Sequence, residues 1–151
     1  MGKINIAAVP ERMGSGYPAP FAVRAGARIK QALGNAAALS DFGVNLTQLP
    51  PQAWSSQRHW HSDEDEFVHV LSGEVILITD AGEEVLRAGD CAAFPKGVAD
   101  GHHLINRSDE MASYLEIGSR SANDVCTYPD IDLRLDRAMG YAHKDGTPYP
   151  D

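Results

Sequence analysis

The sequence is short of cysteine, of clustered basic residues and of long apolar runs. Its 151 residues include two cysteines, Cys91 and Cys126, which cannot form a disulfide framework and are expected to be reduced thiols. The 13 lysines and arginines are scattered and the net charge is −8, which argues against the clustered basic surface that nucleic acids and anionic membranes require. No apolar stretch approaches the roughly 18 residues of a membrane span. We therefore expect a cytoplasmic protein with neither a nucleic-acid nor a membrane partner.

The chemistry that is present begins with a pair of histidines. His59 and His61 are separated by one residue, so on an extended strand both imidazole rings project from the same face. Glu66 opens an alternating run over residues 66–71, and a hairpin between the two strands would bring its carboxylate onto that face. Two imidazoles and a carboxylate form part of a divalent-metal site that still lacks one or two ligands.

These residues, together with a segment downstream, resemble the two motifs of the cupin superfamily. The first motif contains the pattern H-x-H-x4-E-x6-G, which is matched by His59, His61, Glu66 and Gly73. The second has the pattern G-x5-P-x-G-x2-H-x3-N, which is matched by Gly89, Pro95, Gly97, His102 and Asn106. There are two departures. Ala53 replaces the leading glycine of the first motif, and four residues instead of two separate Gly97 from His102.

The resemblance implies a metal site that takes its last ligand from the second motif. The implied ligands of one divalent transition metal, which could be Zn, Fe, Mn, Ni or Co, are His59, His61, Glu66 and His102. His103 is the adjacent alternative to His102, but neighbours on a strand face opposite ways, so only one of them can reach the metal. The H-x3-N spacing to Asn106 selects His102.

Short alternating segments separated by glycine and proline predict a strand-rich fold. The predicted strands cover residues 44–49, 57–61, 66–71, 74–79, 83–87, 91–94, 102–105 and 112–117. Pattern and resemblance together predict an all-β, antiparallel double-stranded β-helix, the jelly-roll barrel of the cupins. We expect one domain with a barrel over residues 41–120. An irregular N-terminal arm over 1–40 should pack on the barrel or on a partner, and a C-terminal tail over 121–151 should be docked.

Local patterns lead to several further predictions. The alanine-rich segment 27–39 predicts a turn or two of helix around Ile29 and Leu33, ended by Gly34-Asn35. The tail is expected to be irregular apart from a short helix within residues 133–139. Cys91 opens an apolar run that indicates a buried strand, so its expected role is packing. The apolar surface of the arm predicts a homodimer.

The predicted site suits a metal-dependent enzyme acting on a small organic or carbohydrate-like molecule, such as an isomerase, a lyase or a dioxygenase. The alternative is a non-catalytic binding or sensing module that uses the metal as an anchor. Catalysis by proton transfer needs a second titratable group, and the candidates are Tyr114 and Glu116, which share one face of the last strand. Strand parity leaves open whether that face lines the barrel interior, and the pattern favours an exposed face.

A phosphorylated sugar is the disfavoured substrate. Phosphate recognition inside a barrel needs inward-pointing cations, and between His59 and Asn106 the sequence offers Arg87 and Lys96 alone. Arg58, next to the first histidine, is the best candidate for binding an anionic group of the small-molecule ligand.

Overall fold

A computed structural model describes residues 2–150 and shows an all-β, antiparallel chain. Its strands are β1 (Glu11–Met13), β2 (Ile29–Ala32), β3 (Phe42–Leu49), β4 (Trp60–His61), β5 (Glu66–Ser72), β6 (Glu74–Thr79), β7 (Gly82–Arg87), β8 (Cys91–Phe94), β9 (His103–Ile105), β10 (Ala112–Ser119), β11 (Val125–Tyr128), β12 (Leu133–Asp136) and β13 (Gly140–Ala142). One short helix, α1, covers Leu33–Ala36, and single 3-10 turns lie at Ile6–Ala8, Ala19–Phe21 and Val23–Ala25.

The strands form three sheets, which together make up the barrel. The largest has the order β1-β2-β3-β10-β5-β8, the second β13-β12-β11-β4 and the smallest β7-β6-β9. All the pairs are antiparallel, as the alternating sequence pattern and the glycine turns predict. The predicted jelly-roll barrel is confirmed.

Strand alternation builds the barrel core. On β5, Val68 and Val70 point inward with Glu66, whereas Phe67 and Leu71 lie on the outer face and are exposed. The core combines residues of the large and small sheets: Leu49, Ala53, Val68, Val70, Val75, Leu77, Leu86, Leu104, Ala112 and Tyr114. Each large aliphatic side chain buried there contributes about 1.5–3 kcal/mol to stability, so this cluster holds the sheets together and fixes the register of the site.

The N-terminal arm is part of the large sheet. Ile29–Ala32 forms β2, which pairs with β3, so the predicted helix is wrong at Ile29, whereas Leu33 does begin a helical turn. The helical turn comes later and contains Gly34-Asn35 instead of ending there. The edge of β3 offers unpaired backbone groups, and pairing with them outweighs the weak helical preference of an alanine-rich stretch.

The C-terminal tail is also made of strands, so the prediction of an irregular tail with a helix within 133–139 is wrong. Leu133–Asp136 is β12, paired with β11 on one side and β13 on the other. Around Cys126, Tyr128 and Leu133 the tail forms a second apolar cluster that includes Tyr17 and Tyr141. This packing ties the tail to the arm beside the barrel.

Cys91 is exposed because β8 turns Ala92 and Phe94 toward the core and its other residues outward, so the predicted packing role is wrong.

Within residues 2–150, no helix has the length and apolar character that a membrane crossing requires.

Candidate metal centre

Three histidine nitrogens converge on the carboxylate of Glu66. Nε2 of His102 lies 2.6 Å from Oε2 of Glu66, and Nε2 of His59 lies 3.4 Å from the same oxygen. Nε2 of His61 lies 3.3 Å from Oε1. Backbone pairing brings His59 and His102 together although they are far apart in the chain. The N–H of His59 donates to the carbonyl oxygen of His102 at 3.1 Å, and the N–H of His102 donates to that of His59 at 2.9 Å.

The tautomers of two of these histidines follow from their outer partners. Nδ1 of His59 lies 2.9 Å from the carbonyl oxygen of Gln57, and Nδ1 of His61 lies 2.7 Å from Oδ2 of Asp124. Carbonyl and ionised carboxylate oxygens only accept, so each Nδ1 carries a hydrogen and donates it. In the neutral rings, the Nε2 lone pairs of His59 and His61 therefore face Glu66.

Such lone pairs facing a carboxylate need a cation between them. Oε2 of Glu66 is buried and, within the described residues, has no hydrogen-bond donor of suitable geometry. Ligand atoms of His59, Glu66 and His102 all lie within 4.8 Å of one another. Imidazole nitrogens with one carboxylate oxygen are donors that divalent transition metals accept, so these residues fit such an ion.

Electrostatics at the site agree with this fit. Burial raises the pKa of Glu66, but the facing nitrogens of His102, His59 and His61 outweigh it and hold that pKa well below its usual range. Burial lowers the pKa of His102, which favours the neutral imidazole that metals bind. Burial also acts to lower the pKa of His61, but Glu66 and Asp124 raise it to about 9, so below that pH the ring carries a proton on Nε2 that a metal ion would displace.

Asp124 is a site residue that sequence reasoning missed. It is 1% exposed, and its Oδ1 accepts the backbone N–H of Asp63 at 3.0 Å. Glu64 lies in the same network: its Oε2 is 3.8 Å from Nδ1 of His61 and accepts Arg137 at 2.8 Å. Asp124 is brought to His61 only by the pairing of β11 with β4, and no local pattern marks it.

His102 and His103 are directed differently, in line with strand alternation. The ring of His102 stacks on Phe94, with centroids 3.5 Å apart, and presents Nε2 to Glu66. Nδ1 of His103 lies 2.9 Å from the carbonyl oxygen of Ser56, and its ring meets the edge of Trp54. This arrangement is the one that the choice of His102 as ligand requires; the ligand role itself stays a prediction.

The histidines and Glu66 open on a cavity of about 410 Å³ that extends along β10. Tyr114 and Glu116 line it, so the expectation that their face is exposed is wrong: Tyr114 is 1% exposed. The pairing of β10 with β5 decides the parity, because Leu115 and Ile117 lie opposite the outward-facing His69 and Phe67.

The basic residues of the cavity are not those that the sequence indicated. Arg58 donates to Asp130 at 2.8 Å and also pairs with Asp80, and it is not among the cavity-lining residues of the described chain. The cations that do line the cavity come from outside the interval between His59 and Asn106: Arg28, Lys30, Arg120 and Arg137.

Comparison with known proteins agrees with this geometry. A family model described as a cupin domain matches residues 45–118. A sugar phosphate isomerase of the cupin superfamily from Silicibacter pomeroyi is similar over 99% of this chain and 97% of its own, with 41% identity and a TM-score of 0.88. The chain belongs to the cupin superfamily.

Two further structures are similar. One, from Acidithiobacillus ferrooxidans and provisionally described as a sugar phosphate isomerase, has 29% identity and a TM-score of 0.73, with 83% of this chain and 81% of that one covered. A polyketide cyclase from Streptomyces resistomycificus shares the fold alone, at 17% identity and a TM-score of 0.62, with 79% of each chain covered. No match was found among curated proteins.

Proposed function

We propose that this protein is a metal-dependent isomerase that interconverts the aldose and ketose forms of a small phosphorylated sugar. The observation that carries the proposal is the convergence of three histidine nitrogens on Glu66 at the wall of a polar cavity. The similarity to a sugar phosphate isomerase over nearly the whole chain supports this substrate class. A phosphorylated sugar was disfavoured because few basic residues lie between His59 and Asn106. The basic residues that line the cavity come from other parts of the chain, so that reason no longer holds.

The implied metal would be held by His59, His61, Glu66 and His102. A divalent ion there would polarise a carbonyl oxygen of the substrate and stabilise the negative charge that develops on it. The protein's own part is to hold neutral imidazoles and an ionised carboxylate in place, which the bonds to Gln57 and Asp124 do for His59 and His61.

Glu116 is the group that we assign to proton transfer. It lies opposite Val68 on the cavity face, diagonal to Glu66, a spacing of roughly 7–8 Å between neighbouring strands. Both of its carboxylate oxygens accept from Lys30, at 3.1 and 3.0 Å, which holds the side chain in the cavity. Tyr114, two residues earlier on the same face, is the second polar group within reach of a substrate.

The reaction balances without any further reagent. Glu116 takes the proton from the carbon next to the carbonyl, and the electron pair of the broken C–H bond forms the double bond of an enediol. The same carboxylate returns the proton to the former carbonyl carbon, while a proton moves between the two oxygens. One carbon is oxidised and its neighbour reduced, so no external oxidant or reductant is needed.

The test is isomerisation in deuterated water. Aldose and ketose phosphates of five and six carbons are incubated with protein of measured metal content, and NMR follows product formation and deuterium at the former carbonyl carbon. Glu116→Gln should lower turnover by about 10²–10⁴-fold, whereas Glu84→Gln, at an exposed position on β7, should not change it. Absence of turnover with every substrate in metal-loaded protein, or full activity of Glu116→Gln, would contradict the proposal.

We also propose that the protein is a homodimer, joined through the outer face of the large sheet. The outer face of the large sheet exposes Phe42, Phe67 and Leu71, and an apolar sheet face of this kind is usually covered. A second copy of this chain, paired face to face, is the expected partner. Light scattering should give twice the chain mass of 16.3 kDa. Phe67→Lys should reduce it to one chain, and Val23→Lys on the exposed arm should not.

A further inference from the structure

The guanidinium of Arg28 lines the cavity with its charge unpaired. Arg28 directly precedes β2 and is half-buried. Its Nε donates to the carbonyl oxygen of Gly14 at 3.0 Å, and its Nη1 donates to the carbonyl oxygen of Ser55. Within residues 2–150 it has no carboxylate at ion-pair distance. Two carbonyl groups therefore fix its orientation without neutralising it.

The other cations of the cavity are used differently. Lys30 pairs with Glu116 at 3.0 Å, and Arg137 pairs with Glu64 at 2.8 Å. Arg120 is exposed at the rim, where it donates to the carbonyl oxygen of Leu39 at 3.0 Å. Arg28 is thus the half-buried cation of this cavity whose charge is free to meet an anion.

The hydroxyl of Tyr114 is an independent sign of a ligand at the same place. The residue is 1% exposed, and its hydroxyl has no hydrogen-bond partner of suitable geometry in the described part of the chain. Burial and the charge of Glu116 raise the pKa of Tyr114, while the charge of Arg28 and the hydroxyls of Thr47 and Ser55 act to lower it, so the hydroxyl keeps its proton in the cavity that Arg28 also lines. Buried hydroxyls are rarely left without a partner.

These groups lie away from the metal ligands along β10. Gly118 pairs with Glu66, whereas Tyr114 pairs with Val70, four residues earlier and roughly 13 Å along the strand. Glu116 lies between them on the same face. A substrate whose carbonyl end is at Glu66 would carry its other end toward Tyr114 and Arg28.

We propose that Arg28 and Tyr114 form a subsite for the phosphate of the substrate, with the guanidinium and the hydroxyl donating to its oxygens. Only the identity of the phosphorylated molecule, a sugar phosphate, rests on the proposed isomerase function; the binding of phosphate itself does not. A guanidinium already oriented by two carbonyl groups presents its remaining N–H donors in a fixed direction, which suits a phosphate better than a flexible ammonium does.

The subsite is tested by the binding of inorganic phosphate, measured by calorimetry on the purified protein. Arg28→Met should weaken binding by tenfold or more, because it removes a charge-assisted interaction, and Tyr114→Phe should weaken it by about two- to tenfold. Arg12→Met, which removes the same charge from the exposed strand β1, is the matched control and should bind as the original protein does. His102→Ala should still bind phosphate, which separates this subsite from phosphate held by the metal.

Each result decides the matter. Unchanged binding in Arg28→Met, an equal loss in Arg12→Met, or a loss that appears in Arg120→Met but not in Arg28→Met would overturn the proposal. If Arg28→Met does not fold, Tyr114→Phe decides, since its hydroxyl has no partner in the described chain and its removal keeps the packing. Ribose 5-phosphate should compete with inorganic phosphate and ribose should not. Phosphate binding that behaves as expected, without isomerase turnover, would reject the proposed function and leave the subsite standing.

Discussion

Asp124 and His61 form a carboxylate–imidazole pair, with Oδ2 of the first 2.7 Å from Nδ1 of the second. The backbone N–H of Asp63 donates to the other carboxylate oxygen of Asp124, Oδ1, at 3.0 Å, so hydrogen bonds hold both oxygens of this side chain. The pair fixes the hydrogen on Nδ1 and leaves Nε2 to face Glu66. His61, on β4, is therefore oriented by the residue that immediately precedes β11, the strand paired with β4.

The first prediction is that Asp124 controls metal affinity without binding the metal. Asp124→Asn should weaken binding of the metal by about 10- to 100-fold, because an amide offers one acceptor oxygen to the two donors that Asp124 accepts from, His61 Nδ1–H and the Asp63 N–H, and it carries no charge. Asp109→Asn at an exposed position should leave the affinity unchanged. Metal titration in competition with a chelator measures both variants. Equal affinities for the original protein and Asp124→Asn would show that the pair does not orient His61.

The second prediction distinguishes the two adjacent histidines by metal content. Elemental analysis should find about one divalent transition metal per chain in the purified protein. His102→Ala should lose most of it, since Nε2 of His102 is 2.6 Å from Glu66. His103→Ala should retain it, because that ring contacts Ser56 and Trp54. The reverse pattern would mean that His103 is the ligand, and metal-free protein would reject the site.

The third prediction concerns the last glycine of the first motif. Gly73 has a φ of +71°, and a Cβ there would lie 2.8 Å from the carbonyl oxygen of Met111. Gly89 has a φ of +95° but open space around its Cβ position. Gly89→Ala should lower the free energy of unfolding by about 1–2 kcal/mol, the cost of the left-handed backbone alone. Gly73→Ala should cost more, because backbone must also move. Urea unfolding gives both values, and equal losses would contradict the steric argument.

The fourth prediction is that the two thiols differ in accessibility. Cys91 is exposed, whereas Cys126 is 2% exposed on β11, between β4 and β12. A thiol-specific reagent should modify one group in the native protein and both after unfolding. Cys91→Ala should then be unreactive when folded, and Cys126→Ala should react as the original protein does. Rapid modification of both native thiols would show that the tail sheet opens in solution.

The sequence by itself indicated the strands of the barrel through local pattern, and the residues of the candidate metal centre through pattern together with the resemblance to the cupin motifs. The predicted strands at 74–79 and 91–94 have the bounds that the structure shows, because alternation and glycine turns are short-range signals. His59, His61, Glu66 and His102 lie together as the motif spacing implies. Their roles as ligands remain predictions.

Tertiary structure alone decided which other residues reach the site. The inward face of β10 was ambiguous until its pairing with β5 placed Tyr114 and Glu116 in the cavity. Arg28 arrives through the pairing of β2 with β3, and Asp124 through that of β11 with β4. The segment at 133–136 is a strand because its neighbours in the sheet supply the backbone partners. Contacts between residues so far apart in the chain depend on which strands pair, and alternation within one strand carries no information about its partner.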